Sequence, residues 1–192
     1  MSDTRHDDAP VGTGKKGTAA EAQALFGDAA GSQTVGRAVT INRPASEVWA
    51  YYRDLSTAPT YMEGVVSVDT SDPQRPHWVA HGTGHGNVEW DAEITEDEPE
   101  KVLAWQAVGT SHANSGRATF EEVAGRGTVV TLTMSYDPVG GAVGQFVAKL
   151  FQHDPAILAR RNLRRLKQLL ETGEIATAAR NTVLHAQGKT HE

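Results

Sequence analysis

Residues 154–172, DPAILARRNLRRLKQLLET, limit what this chain can fold into more than any other stretch. Asp154 can accept the backbone N–H bonds that a first helical turn leaves open. Pro155 suits the first helical position, where its missing N–H costs nothing. Gly173 can close the far end, because glycine takes the left-handed C′ conformation cheaply. Between these signals Ala156, Ala159, Leu163, Leu166 and Leu170 recur at spacings of three and four, which makes one apolar stripe. Arg160, Arg161, Arg164, Arg165 and Lys167 occupy much of the remaining circumference. A helix of roughly 18 residues is about 27 Å long, so its stripe needs a broad surface to cover.

The residues before it supply such a surface. Residues 87–95 alternate strictly, with Val88, Trp90, Ala92 and Ile94 on one face and Asn87, Glu89, Asp91, Glu93 and Thr95 on the other. That pattern predicts a strand with one buried and one wet face, and hence an antiparallel sheet. Further strands are expected at 34–41, 64–70, 77–82, around Leu103, Trp105 and Ala107, at 117–123, and at 128–136. In the last of these, Val130, Leu132, Met134 and Tyr136 share a side, and Val129, Thr131, Thr133 and Ser135 take the other. SDPQRP, EDEPEK and AGRG carry turn chemistry. Pro44 is placed to start a helix in which Val48, Trp49, Tyr52 and Leu55 repeat at helical spacing, and a second short helix is expected at 58–62. Val143, Phe146, Val147, Leu150 and Phe151 suggest one more short helix before the long one.

Composition removes several function classes. The chain has 192 residues, which favours a single domain with tails. It contains no cysteine, so disulfides, thiolate catalysis and cysteine-ligated metals are excluded. A net charge of −6 argues against general binding to DNA or RNA. No stretch approaches the length of a membrane span, and the first ten residues are polar, so a cytoplasmic protein is the expectation. Residues 1–33 read as a flexible arm, with a short helix possible at 18–26; residues 34–173 read as the folded domain and 174–192 as a loose tail.

Four segments in this order carry a resemblance: VTINRPASEVWAYYRDL, HWVAHGTGHGNVEWDAEITEDEPEKVLAW, GRATFEEVAGRGTVVTLTMSYDPVGG and KQLLETGE. Over roughly residues 34–173 the chain resembles START-related, Bet v 1-like (SRPBCC) proteins of the bacterial polyketide cyclase/dehydrase group. The resemblance implies an α+β helix-grip fold, a curved antiparallel sheet of about seven strands wrapped around a long C-terminal helix. It also implies a cavity for a small hydrophobic or aromatic ligand. That group includes aromatases and cyclases, lipid and quinone carriers and ribosome-associated proteins, and a shared fold does not choose among them. Some relatives carry a hydrophobic N-terminal segment; this chain has its polar arm there.

On such a fold the expected pocket lining is Trp78, Trp90, Trp105, Phe120, Leu132, Met134 and Tyr136 from the sheet, with Leu163 and Leu166 from the helix. Large aromatics suit a flat or greasy ligand, stacking on its rings while an N–H or O–H orients it. His77, His81 and His85 sit four apart, but on a strand two such positions lie about 13 Å from each other, too far to share a metal. No metal and no cofactor is expected. Glu89, Asp91 and Glu93 fall opposite Trp90 and read as a solvated face. The basic helix face reads as solvent-facing, with receipt by acidic residues of the same chain or a role as an interaction surface for an acidic partner as the alternatives.

A cyclase or dehydratase must polarise carbonyls and move protons from carbon. Tyr136, Ser135, Thr131, Thr133, His112 and Arg117 are the polar groups at hand, and alternation leaves Tyr136 as the one candidate for the cavity. No nucleophile elbow, Walker loop or dinucleotide fingerprint is present. The sequence therefore leaves catalysis, ligand identity and oligomeric state open. Its alternatives are a polyketide cyclase/dehydrase-like protein, a carrier of a lipid or quinone, and a module that uses the arginine face.

Overall fold

A computed structural model describes residues 33–81, 86–108, 114–136 and 155–176 of the chain. The expected arm, the short helices at 18–26 and 143–151, the cap at Asp154, the tail beyond residue 176, His85 and His112 lie outside the described residues.

Strand β1 (Gln33–Ile41) leads into helix α1 (Ala45–Arg53), a 3₁₀ turn (Leu55–Thr57) and the single-turn helix α2 (Ala58–Tyr61). Six strands follow: β2 (Val65–Asp69), β3 (His77–His81), β4 (Asn87–Glu98), β5 (Val102–Val108), β6 (Asn114–Val123) and β7 (Gly127–Tyr136). The long helix α3 (Pro155–Thr172) comes last. The strands form one antiparallel sheet in the order β1-β7-β6-β5-β4-β3-β2. Its one non-sequential pairing joins β1 to β7.

Side chains directly opposite each other in an antiparallel pair share a face. Register therefore defines the inner surface row by row. One row runs Val39, Val130, Phe120, and all three are buried. The next runs Arg37, Leu132, Ala118, Leu103, and its three apolar members are buried. A third runs Val35, Met134, Gly116, Trp105, Ile94. Trp78 stands opposite Trp90 in the β3–β4 pair.

Helix α1 forms where the apolar spacing predicted it, with Val48, Trp49 and Tyr52 buried. Pro44 precedes its first turn and has no side-chain acceptor to cap it. The cap comes from the sheet instead, as the Ala45 N–H donates to Glu122 Oε2 of β6 at 3.2 Å. Trp49 and Tyr52 then meet Phe120 edge-on, each with ring centroids 5.3 Å apart.

Helix α3 buries Ala156, Ala159, Leu163 and Leu166, with Leu158 beside them. It ends at Gly173, whose φ of +76° and N–H bond to Leu169 O (2.8 Å) make the expected C-terminal closure. Its neighbours are β1 and α2. Lys167 Nζ donates to Thr40 O of β1 at 2.7 Å, and Arg165 Nε donates to Tyr61 O at the end of α2 at 2.9 Å.

One strand differs from the sequence reading. EDEPEK was expected to turn the chain, yet β4 continues to Glu98 through a register shift between Ile94 and Glu96. A bulge admits one extra residue and reverses the faces beyond it. Glu96 consequently pairs with Arg117 on the outside, and Asp97 reaches Arg53 of α1 at 2.8 Å. The turn itself is Glu98–Lys101, where Glu100 takes a φ of +62°.

Candidate functional site: the inner face of the sheet

The pocket residues expected from the sequence separate into two groups. Phe120, Leu132, Leu163 and Leu166 are fully packed members of the core. Trp78, Trp105 and Met134 are only partly buried and lie against that core, and Trp90 is likewise half-buried. Tyr136 ends β7 with its Cα opposite Gln33 and Asn114. The expectation for its side chain lies outside the described residues.

Trp78 and Trp90 stack nearly parallel, with centroids 5.9 Å apart and planes 13° from each other. Cross-strand register places them there, on the half of the sheet away from β1. Trp105 occupies a seat that the sequence reading missed. Gly116 stands opposite it on β6, and a Cβ at that position would collide with the Trp105 six-membered ring. The indole therefore lies down on the β6 backbone. A glycine within an otherwise regular strand was the available signal, since such a residue marks a close approach.

Polar atoms supply the second missed feature. Among the described residues, Tyr52 Oη, Tyr61 Oη and Trp78 Nε1 are buried without a hydrogen-bond partner. Leaving a polar group buried and unpaired costs about 1–3 kcal/mol. Burial pushes both phenols up, Tyr61 also through its neighbours Tyr52 and Tyr51, so both remain protonated at neutral pH. Tyr52 and Tyr61 lie with ring centroids 6.3 Å apart. Arg37, on the inner face by its register with Leu132, donates to Gly36 O at 2.7 Å and has no carboxylate partner among the described residues.

The remaining described polar candidates lie on the face opposite Met134 and Leu132, where Ser135 is buried. Arg117 holds Glu96 through two bonds, Nε at 3.0 Å and Nη2 at 2.8 Å, so it is committed to the wet face. Thr131, Thr133 and Ser135 alternate away from Met134 and Leu132, as expected. His77 Nδ1 lies 2.8 Å from Asp91 and Nε2 lies 3.4 Å from Glu89. The Asp91 hydrogen bond is the main cause that raises the His77 pKa, and the same bond lowers that of Asp91. Among the described residues no group of three or more His, Asp or Glu side chains could hold a metal ion. No helix among them is long and apolar enough to cross a membrane.

The basic side of α3 is received largely by the chain's own acids. Glu63 takes Arg161 at 3.4 Å and Arg165 at 3.7 Å, and Glu171 takes Lys167 at 3.0 Å.

Comparison with known proteins agrees with this architecture. A 17.2 kDa protein from the melC2-rnhH intergenic region of Streptomyces lincolnensis is 30% identical over 104 residues, which is 54% of this chain and 69% of that one. The crystal structure of DR_A0006 from Deinococcus radiodurans is similar with a TM-score of 0.59 at 33% identity, covering 74% of this chain and all of that one. The ZhuI aromatase/cyclase from Streptomyces sp. R1128 matches with a TM-score of 0.57 at 14% identity, over 76% of this chain and 99% of its own, and shows a shared fold. The family described as "Polyketide cyclase / dehydrase and lipid transport" matches residues 32–171. With its curled seven-stranded sheet and its C-terminal helix, the chain belongs to that polyketide cyclase/dehydrase and lipid transport family.

Proposed function

We propose that this protein binds a small hydrophobic or aromatic ligand between the inner face of the sheet and α3, in the manner of a polyketide cyclase/dehydrase. The observation that carries this reading is the uneven burial of one apolar surface. Phe120, Leu132, Leu103 and Val130 are sealed, while Trp78, Trp90, Trp105 and Met134 on the same surface keep exposed area. Stacked indoles offer a flat ring both area and orientation. Family membership supports the same reading.

If the protein is also an enzyme, Tyr136 is the group we nominate as proton donor, because a phenol can polarise a carbonyl. Tyr136→Phe then abolishes turnover of a polyketone and spares the melting temperature; unchanged turnover removes the nomination. The second reading, a carrier without chemistry, draws on the same surface and predicts tight binding with the ligand recovered intact. The arginine-face reading is disfavoured by the Glu63 and Glu171 pairings, which already engage Arg161, Arg165 and Lys167.

A thermal-shift screen of aromatic and lipid compounds tests the pocket. Trp78→Ala and Trp90→Ala should each abolish the shifts seen with the wild-type chain. Shifts that survive both substitutions place the ligand elsewhere.

A further inference from the structure

Alternation puts one strand arginine on each face of the sheet, Arg117 on the wet face and Arg37 on the inner one. Five arginines among the described residues are partly buried: Arg37, Arg43, Arg53, Arg117 and Arg165. Four of them hold a carboxylate. Arg43 has that of Glu47, Arg53 that of Asp97, Arg117 that of Glu96 and Arg165 that of Glu63. Arg37 has none among the described residues, and its Nη1 donates to Gly36 O at 2.7 Å.

The elements packed around Arg37 do not supply the missing acid. Strands β1 and β7 contain no Asp or Glu. The single acid of α3, Glu171, is engaged at the far end of β1 by the Asn42 N–H at 2.6 Å and by Lys167 at 3.0 Å. Across the sheet Arg37 continues into Leu132, Ala118 and Leu103, all apolar. A guanidinium cannot shed its charge to suit such surroundings, and a charge taken from water calls for an opposite one. Arg37 also stands beside the half-open part of the inner face. Val35, two residues along β1 on the same face, lies opposite Met134. Arg37 and Met134 are therefore diagonal neighbours, about 7–8 Å apart and within reach of a long side chain. From Met134 the row crosses the bare Gly116 to Trp105, and both Met134 and Trp105 are only partly buried. A ligand lying along that row has one end at Arg37.

We propose that Arg37 binds the charged end of the ligand, and that the ligand is an apolar molecule carrying one carboxylate. The proposal rests on the pocket reading above and deepens it, naming a specificity-determining residue. The planar fork of a guanidinium matches the two oxygens of a carboxylate. One guanidinium balances one negative charge. The roughly −1.5 to −2 of a phosphate monoester would call for a second cation, and neither of the two rows carries one.

Calorimetric titration of the full chain with two isosteric pairs tests this: 2-naphthoate against 2-naphthamide, and decanoate against decanamide. Members of a pair share a shape and differ in charge. Wild type should prefer the acid of at least one pair by about tenfold or more. Arg37→Gln should remove that preference, leave the affinity for the amide unchanged and melt no lower than wild type. Arg37→Lys should restore only part of the preference, since it returns the charge without the fork. Arg160→Gln, on the exposed side of α3, should leave the preference intact. Amides that bind as well as their acids overturn the charged subsite while leaving the pocket in place. A preference that survives Arg37→Gln, or that is lost in Arg160→Gln, also overturns it, because the anion then sits elsewhere. Binding of none of the four probes overturns the pocket reading and this proposal with it.

Discussion

Gly116 and Trp105 face each other across β5 and β6, and the indole rests where the glycine has no side chain. The contact fixes the tilt of one aromatic wall. Gly116→Ala is expected to lift the indole from the strand and to cost about 1–3 kcal/mol, as overpacking usually does. Urea unfolding measures the cost, and the Trp105 emission, isolated in a background with the other three tryptophans replaced by phenylalanine, should shift. An unchanged spectrum and midpoint mean that the ring has no need of the glycine.

Glu122 caps α1 from a neighbouring strand, through the Ala45 N–H. Glu122→Ala should cost about 0.5–2 kcal/mol, the range for loss of an N-cap acceptor. Glu122→Gln keeps an acceptor and should recover most of that loss in the same unfolding measurement. Equal stability of wild type and Glu122→Ala would show that solvent serves the helix end as well.

Arg161 and Arg165 share Glu63 yet should not weigh equally. Arg165 is 27% exposed and also donates to Tyr61 O, while Arg161 is 48% exposed and, among the described residues, donates to Glu63. An exposed pair is worth roughly 0–1 kcal/mol. Arg165→Ala should therefore destabilise more than Arg161→Ala in parallel denaturation curves. The reverse order would mean that the carbonyl bond contributes nothing.

His77 and Asp91 give β3 and β4 a charge-dependent link on the wet face. The raised His77 pKa adds stability that is complete below its unfolded value near 6.5 and is lost as pH rises through the higher folded value. The lowered Asp91 pKa adds stability above the unfolded carboxylate value, lost as pH falls through the lower folded value. Between those limits the pair is complete, with Glu89 and Arg75 as the other charges facing it. Wild type should thus exceed His77→Gln in melting temperature at pH 5.5, by a small margin that shrinks at pH 9. A margin independent of pH removes the ion pair as its cause.

Much of the fold was legible because periodicity is a local property. The alternation from Val88 to Ile94 and the spacing from Ala156 to Leu166 name their buried faces without any partner. The bulge at Ile94 and Glu96 was not legible, since a register shift exists only against the neighbouring strand. The candidate site divides in the same way. Trp78 and Trp90 follow from alternation, but nothing local distinguishes Phe120, sealed by Trp49 and Tyr52, from Trp105, which stays half-open. Tyr52 was read for its helical spacing alone. Its hydroxyl becomes informative only once three-dimensional packing removes every partner from it.

The most direct test of the central claim is native mass spectrometry of the full chain purified from its own host without denaturation. The account predicts a species heavier than the bare chain by one small apolar molecule, lost when both Trp78 and Trp90 are replaced by alanine. A wild-type preparation that carries only the mass of the polypeptide, or an adduct that persists in the double variant, would contradict it.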